Sequence, residues 1–134
     1  MTAIRKTILR ADAIFLIVAG GGFAADLLST YFGAGDVGLA LVQAPLAAVG
    51  ALGAYPIAVI FGVLLWRAEP VRAWHLSAVA IHGLLGTFNL IFWPTFAAAG
   101  RLAVGCITTM LHGIFVALQL SAAHAAAARA PRPV

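Results

Sequence analysis

Charged side chains are scarce in this sequence: they make up 9% of its 134 residues, whereas hydrophobic side chains make up 63%. Soluble domains carry about 25% charged and roughly 45 to 50% apolar residues, so this composition excludes an ordinary soluble domain. The mean hydropathy of +1.06 agrees. We therefore expect an integral membrane protein, and a chain of this length has no room for a separate soluble domain beside four spans.

Cysteine is almost absent, with Cys106 as its single instance. This excludes an intrachain disulfide and a cysteine-based metal site, and we interpret Cys106 as a small buried apolar residue. The sequence also lacks an HExxH pattern, a phosphate-binding glycine loop and the serine, histidine and acid spacing of a hydrolase. We therefore predict no catalytic residue and no metal, and an enzyme is the least favoured class.

The basic residues that are present stand beside the apolar runs, singly or in small groups. A formal net charge of +4 would suggest a nucleic-acid partner in a soluble protein, but this distribution is typical of topology signals, and we predict no nucleic-acid binding. One side of the membrane receives Arg5, Lys6, Arg10, Arg67, Arg72, Arg129 and Arg132, and the other receives Arg101 alone. The positive-inside rule then predicts a multi-pass protein of the cell membrane with both termini in the cytoplasm.

The apolar runs predict an all-α membrane protein with four transmembrane helices in an up-down-up-down bundle. We expect spans at about 11–32, 42–66, 73–96 and 101–124. They would form one domain, residues 1–126, followed by a disordered cytoplasmic tail at 127–134. Pro45 is expected in the first turn of the second helix, and Pro56 is expected to kink it.

Two features of the chain leave alternatives open. Short matches at an offset of 62 residues, such as Arg10-Ala11 with Arg72-Ala73, suggest a tandem repeat of two helical hairpins, although such matches arise easily in an alanine-rich chain. The first apolar run also resembles a cleavable signal peptide in its basic start and in the small residues before Asp26. We interpret it as a retained span.

Polar side chains recur at regular spacing inside the third and fourth spans. His75, His82 and Asn89 are seven residues apart, which places them on one helix face. At about 1.5 Å per residue, His82 and His112 reach depths of about 13 and 12 Å from the cytoplasmic side. The stripe on the fourth span consists of Arg101, Gly105, Thr108, His112 and Gln119. We expect the two stripes to face each other as a polar seam inside the bundle.

Five residues form the candidate site, either as ligand-binding residues or as a proton relay: Asp26, Tyr55, His82, Asn89 and His112. By the same count Tyr55 comes to about 16 Å, near the histidines, and Asp26 and Asn89 come to roughly 22 to 24 Å. The alternative is that these groups only hold membrane helices together. Four other polar residues, His75, His124, Asp12 and Asp36, are expected at the water boundary, where a solvated side chain is the favoured interpretation.

Three functions remain open from the sequence. The favoured one is a ligand-binding or accessory/scaffold protein of the lipid bilayer, whose seam binds a small apolar ligand or supports a homodimer or larger membrane complex, without a cofactor. The second is a proton-coupled small transporter that uses Asp26 with His82 and His112. The third is a redox protein in which His82 and His112 are the axial ligands of a b-type haem.

Overall fold

The computed structural model describes residues 2–32, 45–98 and 100–128, and within these ranges the regular structure is entirely helical. The helices are α1 (Thr2–Tyr31), α2 (Pro45–Arg67), α3 (Arg72–Ile91), α4 (Trp93–Ala98) and α5 (Leu102–Ala127). All but the short α4 are long and apolar enough to cross a membrane. The predicted all-α fold with four candidate membrane spans is therefore confirmed.

The ends of the helices differ from the predicted boundaries. Helix α1 begins at Thr2 instead of near residue 11, because the basic segment between them consists largely of good helix formers. Helix α5 continues to Ala127 through a run of alanines, the residue with the highest helix propensity. Pro45 opens α2, as predicted. The glycine-rich turn at 33–38 and most of the predicted tail lie outside the described residues.

The third span is interrupted, which corrects the prediction of a continuous helix over 73–96. Helix α3 ends at Ile91, and α4 starts at Trp93 after a turn at Phe92. Pro94 explains the break, since proline lacks an N–H and clashes with the carbonyl four residues earlier inside a helix, but fits the first turn of a new one. Gly100, with φ of +67°, then adopts the left-handed conformation before α5.

The chain divides into two compact units, each centred on two long helices. Residues Arg10–Ala68 form one unit, which we call the first hairpin; it contains most of α1 and all of α2. Residues Met1–Leu9 and Glu69–Val134 form the other, and we call its helices α3 and α5 with their α4 connection the second hairpin.

Close backbone contact holds the first hairpin together. A Cβ atom added at Gly20 would lie 2.9 Å from the carbonyl oxygen of Tyr55, and one added at Gly62 would lie 3.0 Å from that of Ala13. Small residues let membrane helices approach in this way, since van der Waals packing replaces the missing hydrophobic driving force. The glycines therefore set the distance between α1 and α2.

Cys106 is exposed on α5, which corrects its interpretation as a buried residue. A free cysteine behaves as a small hydrophobe. In a membrane helix the outer face is apolar too, so its apolar character alone does not indicate which side of the helix it occupies.

Candidate functional site

Three pairs of polar side chains join α3 to α5 in the second hairpin, and we call them the polar ladder. His75 Nδ1 donates to Gln119 Oε1 at 2.5 Å, and Asn89 Nδ2 donates to Thr108 Oγ1 at 3.0 Å. Between these pairs, the Nδ1 atoms of His82 and His112 are 2.8 Å apart. The predicted facing of the two polar stripes is therefore observed within this hairpin.

The spacing of the ladder follows from helix geometry. A step of seven residues on α3, from His75 to His82, corresponds to a step of seven in the opposite direction on α5, from Gln119 to His112. Seven residues are about 10.5 Å along a helix and almost two full turns, so antiparallel helices keep such pairs in register. The ladder is thus a direct product of the heptad spacing in the sequence.

Two pairs of the ladder, His75 with Gln119 and His82 with His112, are removed from solvent. His75, His82 and Gln119 are 0% exposed and His112 is 7% exposed. Burying a polar group is unfavourable unless it is hydrogen-bonded, so each partner compensates the desolvation of the other. Hydrogen bonds between membrane helices contribute on average about 0.6 kcal/mol, with a maximum of about 1.7 kcal/mol.

The histidine pair must share a proton, because two nitrogens form a hydrogen bond only if one donates and the other accepts. In the neutral pair, one ring carries its proton on Nδ1 and the other carries it on Nε2. One added proton gives an imidazolium that still donates to the neutral ring. A second added proton would place two N–H groups against each other across 2.8 Å. The pair therefore accepts one proton without losing its hydrogen bond.

The surroundings of the pair are apolar and closely packed. The ring of Phe115 stacks on that of His82, with centroids 5.1 Å apart and planes 18° apart. Gly86 lies one turn along α3 from His82, and a Cβ atom there would be 3.2 Å from the Cβ of His112. Gly86 thus permits the close approach that brings the two imidazoles within hydrogen-bonding distance.

The spacing of the two imidazoles does not fit an iron ion between them. Metal–imidazole bonds are about 2.0 Å long, so a shared ion needs its two nitrogen ligands about 4 Å apart. The Nδ1 atoms are 2.8 Å apart, and ligation of one ion by both of them would require breaking their hydrogen bond. Among the described residues, no group of three or more His, Cys, Asp and Glu could hold a metal ion. In this arrangement the two Nδ1 atoms are therefore too close together to be the axial ligands of one haem iron.

Burial corrects two predictions about residues at the water boundary. His75 and Asp12 were expected to be solvated, and both are 0% exposed. His75 Nε2 is also buried without a hydrogen-bond partner in the described part of the chain. The heptad that His75 shares with His82 was the signal for its burial. His124 is exposed near the end of α5, as predicted.

The five predicted site residues fall into both compact units. His82, His112 and Asn89 belong to the second hairpin, where the histidines are in direct contact and Asn89 lies about 10.5 Å further along α3. Asp26 and Tyr55 belong to the first hairpin. The ring of Tyr55 is partly buried and stacks on Phe23, with centroids 5.3 Å apart.

No protein-family model matches this chain, and no curated protein or solved structure is significantly similar to it. The geometry of the ladder and of the two hairpins is therefore the basis for assigning a function.

Proposed function

We propose that this protein is an accessory or ligand-binding protein of the cell membrane. In this role the polar ladder fastens α3 to α5, and the outer faces of the helices bind lipid, a second copy of the chain or another membrane protein. The observation that supports it most is that each pair of the ladder joins one side chain of α3 to one of α5. The polar groups are used to hold the hairpin together.

The burial of the histidines favours this role over catalysis. A general acid or base must come within hydrogen-bonding distance of its substrate, directly or through one water. His82 is 0% exposed, His112 is 7% exposed, and their Nδ1 atoms are bonded to each other. A substrate would therefore have to separate α3 from α5 before it reached these atoms.

The outer faces of both hairpins are apolar and unusually rich in large exposed side chains. Examples with at least half of their surface exposed are Ile57, Ile60, Leu84, Ile91, Ile107 and Met110. Large apolar surfaces are typical of contact with lipid or with a partner. We infer that these faces are in the bilayer, with both termini in the cytoplasm, because the basic residues concentrate on that side.

The accessory role predicts that the protein leaves its native membrane with a bound molecule. The full chain, expressed at low level in its own host and extracted in mild detergent, is analysed by native mass spectrometry. We expect masses above that of the 13.8 kDa chain, from retained lipid, a second copy or a partner. An unrelated four-span protein treated identically is the control. A spectrum that shows only single chains without any bound molecule would contradict the role, provided that the control protein retains its known partner under the same conditions.

Proton-coupled transport is the second candidate, and the proton capacity of the histidine pair is the observation that favours it. Transporters place ionisable side chains within the membrane for proton relay. In this chain, Asp26 and the two histidines are side chains of that kind. This candidate predicts proton-dependent flux in proteoliposomes that is lost in Asp26→Asn and His82→Gln but kept in the exposed control His124→Gln. Wild-type behaviour of Asp26→Asn between pH 5 and pH 8 would remove the relay from consideration and leave the accessory role.

A further inference from the structure

A groove runs along the first hairpin, and no residue of the polar ladder lines it. It has a volume of about 310 Å³ and is lined by Ile14, Ile17, Val18, Val63 and Trp66. All of these side chains are apolar except for the indole N–H of Trp66. Four of them are also substantially exposed, from 44% for Val63 to 66% for Val18. The groove is thus open on one side and suited to a hydrocarbon chain.

The positively charged side chain of Arg10 lies at one end of this groove. The Cζ atom of Arg10 lies 4.5 Å from the centroid of the Trp66 ring. Arg10 precedes Ile14 by four residues, about one turn of α1. A guanidinium over an aromatic face still presents N–H groups at its edge, where they bind a phosphate in bidentate fashion. Asp12, two positions further along, faces a different side of the helix.

The distance from Arg10 to the far end of the groove is close to the thickness of one leaflet of a bilayer. From Arg10 to Val18 the helix rises by about 12 Å. The hydrocarbon core of a bilayer is about 30 Å thick, so one leaflet contributes about 15 Å. A charged group at the membrane surface, followed by an apolar groove whose far end lies about 12 Å from it along the helix, matches the arrangement of a phosphate and an acyl chain in a phospholipid.

We propose that this groove binds one acyl chain of an anionic phospholipid whose phosphate group is held by Arg10. The inference names a ligand class for the proposed accessory role and rests on that role only for the membrane location. Anionic lipids such as phosphatidylglycerol bind more tightly than zwitterionic phosphatidylcholine, because the choline cation of phosphatidylcholine offsets the negative charge of its phosphate. Trp66 contributes to both parts of the site, since its ring lines the groove and contacts Arg10.

The test is native mass spectrometry of the purified full chain in detergent, titrated with phosphatidylglycerol or phosphatidylcholine of identical acyl chains. We expect a clear preference for phosphatidylglycerol. Arg10→Gln should weaken phosphatidylglycerol binding by about tenfold, which corresponds to about 1.4 kcal/mol, and should weaken phosphatidylcholine binding by less, because choline already offsets the charge of that phosphate. Lys6→Gln is the matched control, because it removes an exposed cation from the same helix outside the groove, and it should change binding by less than about twofold.

Two further arms make the result decisive. Arg10→Lys keeps the charge but loses the planar guanidinium, so its affinity for phosphatidylglycerol should fall between those of wild type and Arg10→Gln. This milder variant keeps the proposal testable if Arg10→Gln fails to fold. Water-soluble glycerol phosphate should not displace the lipid at millimolar concentration, because it lacks an acyl chain. Equal effects of Arg10→Gln and Lys6→Gln, no lipid preference, or displacement by glycerol phosphate would each overturn the proposal. Those outcomes leave partner binding in native membranes untouched, so the two proposals fail separately.

Discussion

Replacing His82 with leucine should destabilise the second hairpin by about 1 to 3 kcal/mol, the usual cost of leaving a buried polar group without its partner. The Nδ1 atom of His112 would lose its hydrogen bond to His82 Nδ1, which is 2.8 Å away. The side chain of His112 is only 7% exposed, so water would not easily replace this bond. His112→Leu should have an effect of similar size for the reciprocal reason. The free energy of unfolding, measured by denaturing the protein in mixed micelles, reports both changes.

The double variant shows whether the two histidines interact with each other or contribute to stability independently. Because leucine at both positions leaves no unpaired nitrogen, His82→Leu/His112→Leu should cost less than the sum of the single variants, with a coupling energy of about 0.6 to 1.7 kcal/mol. His124→Leu, at an exposed position of α5, should change stability by less than about 0.5 kcal/mol. Additive effects of the two single variants would mean that the pair is not formed in the membrane.

Valine at Gly62 should destabilise the first hairpin by about 1 to 3 kcal/mol, the range found when a packed interior is overfilled. A Cβ atom at this position would lie 3.0 Å from the carbonyl oxygen of Ala13 and 2.9 Å from the Cγ1 atom of Ile17. The side chain of Ile17 could rotate, but the backbone of α1 would have to move. Unfolding in mixed micelles measures the loss of stability.

Gly53 provides the matched control for this prediction, because it is in the same helix and a Cβ atom there would meet nothing within 4 Å. Gly53→Val should change stability by less than about 0.5 kcal/mol, as is usual for surface positions. The change in helix propensity is the same at both positions, so the difference between the variants reports contact with α1. Equal destabilisation by Gly53→Val and Gly62→Val would contradict the close packing of α1 on α2.

The part of the candidate site on α3 and α5 could be predicted because periodicity and depth are local properties of a helix. Heptad spacing placed His82 and Asn89 on one face, and counting residues from the helix ends placed His112 level with His82. Both inferences require only a helical rise and an antiparallel connection. The hydrogen bond between the two histidines agrees with them.

The remaining features depend on tertiary contacts, which such counting does not describe. His75 and Asp12 lie near helix ends, where depth alone predicts contact with water, yet both are fully buried. Cys106 is apolar, so its exposure could not be deduced from polarity in a chain whose outer surface is apolar as well. The apolar run predicts a third span that continues to residue 96, but α3 ends at Ile91 and α4 begins at Trp93 with Pro94 in its first turn.

The shared proton of the histidine pair is tested most directly by nitrogen NMR of the protein labelled with ¹⁵N-histidine in lipid nanodiscs. The chain has four histidines, so single His→Leu variants assign the signals. At neutral pH we expect a scalar coupling between the Nδ1 atoms of His82 and His112 through an N–H···N hydrogen bond, with one nitrogen protonated and the other not. The coupling should disappear in His112→Leu and persist in His124→Leu. Two uncoupled Nδ1 atoms, each with its own proton, would contradict the proposed pair and the ladder built around it.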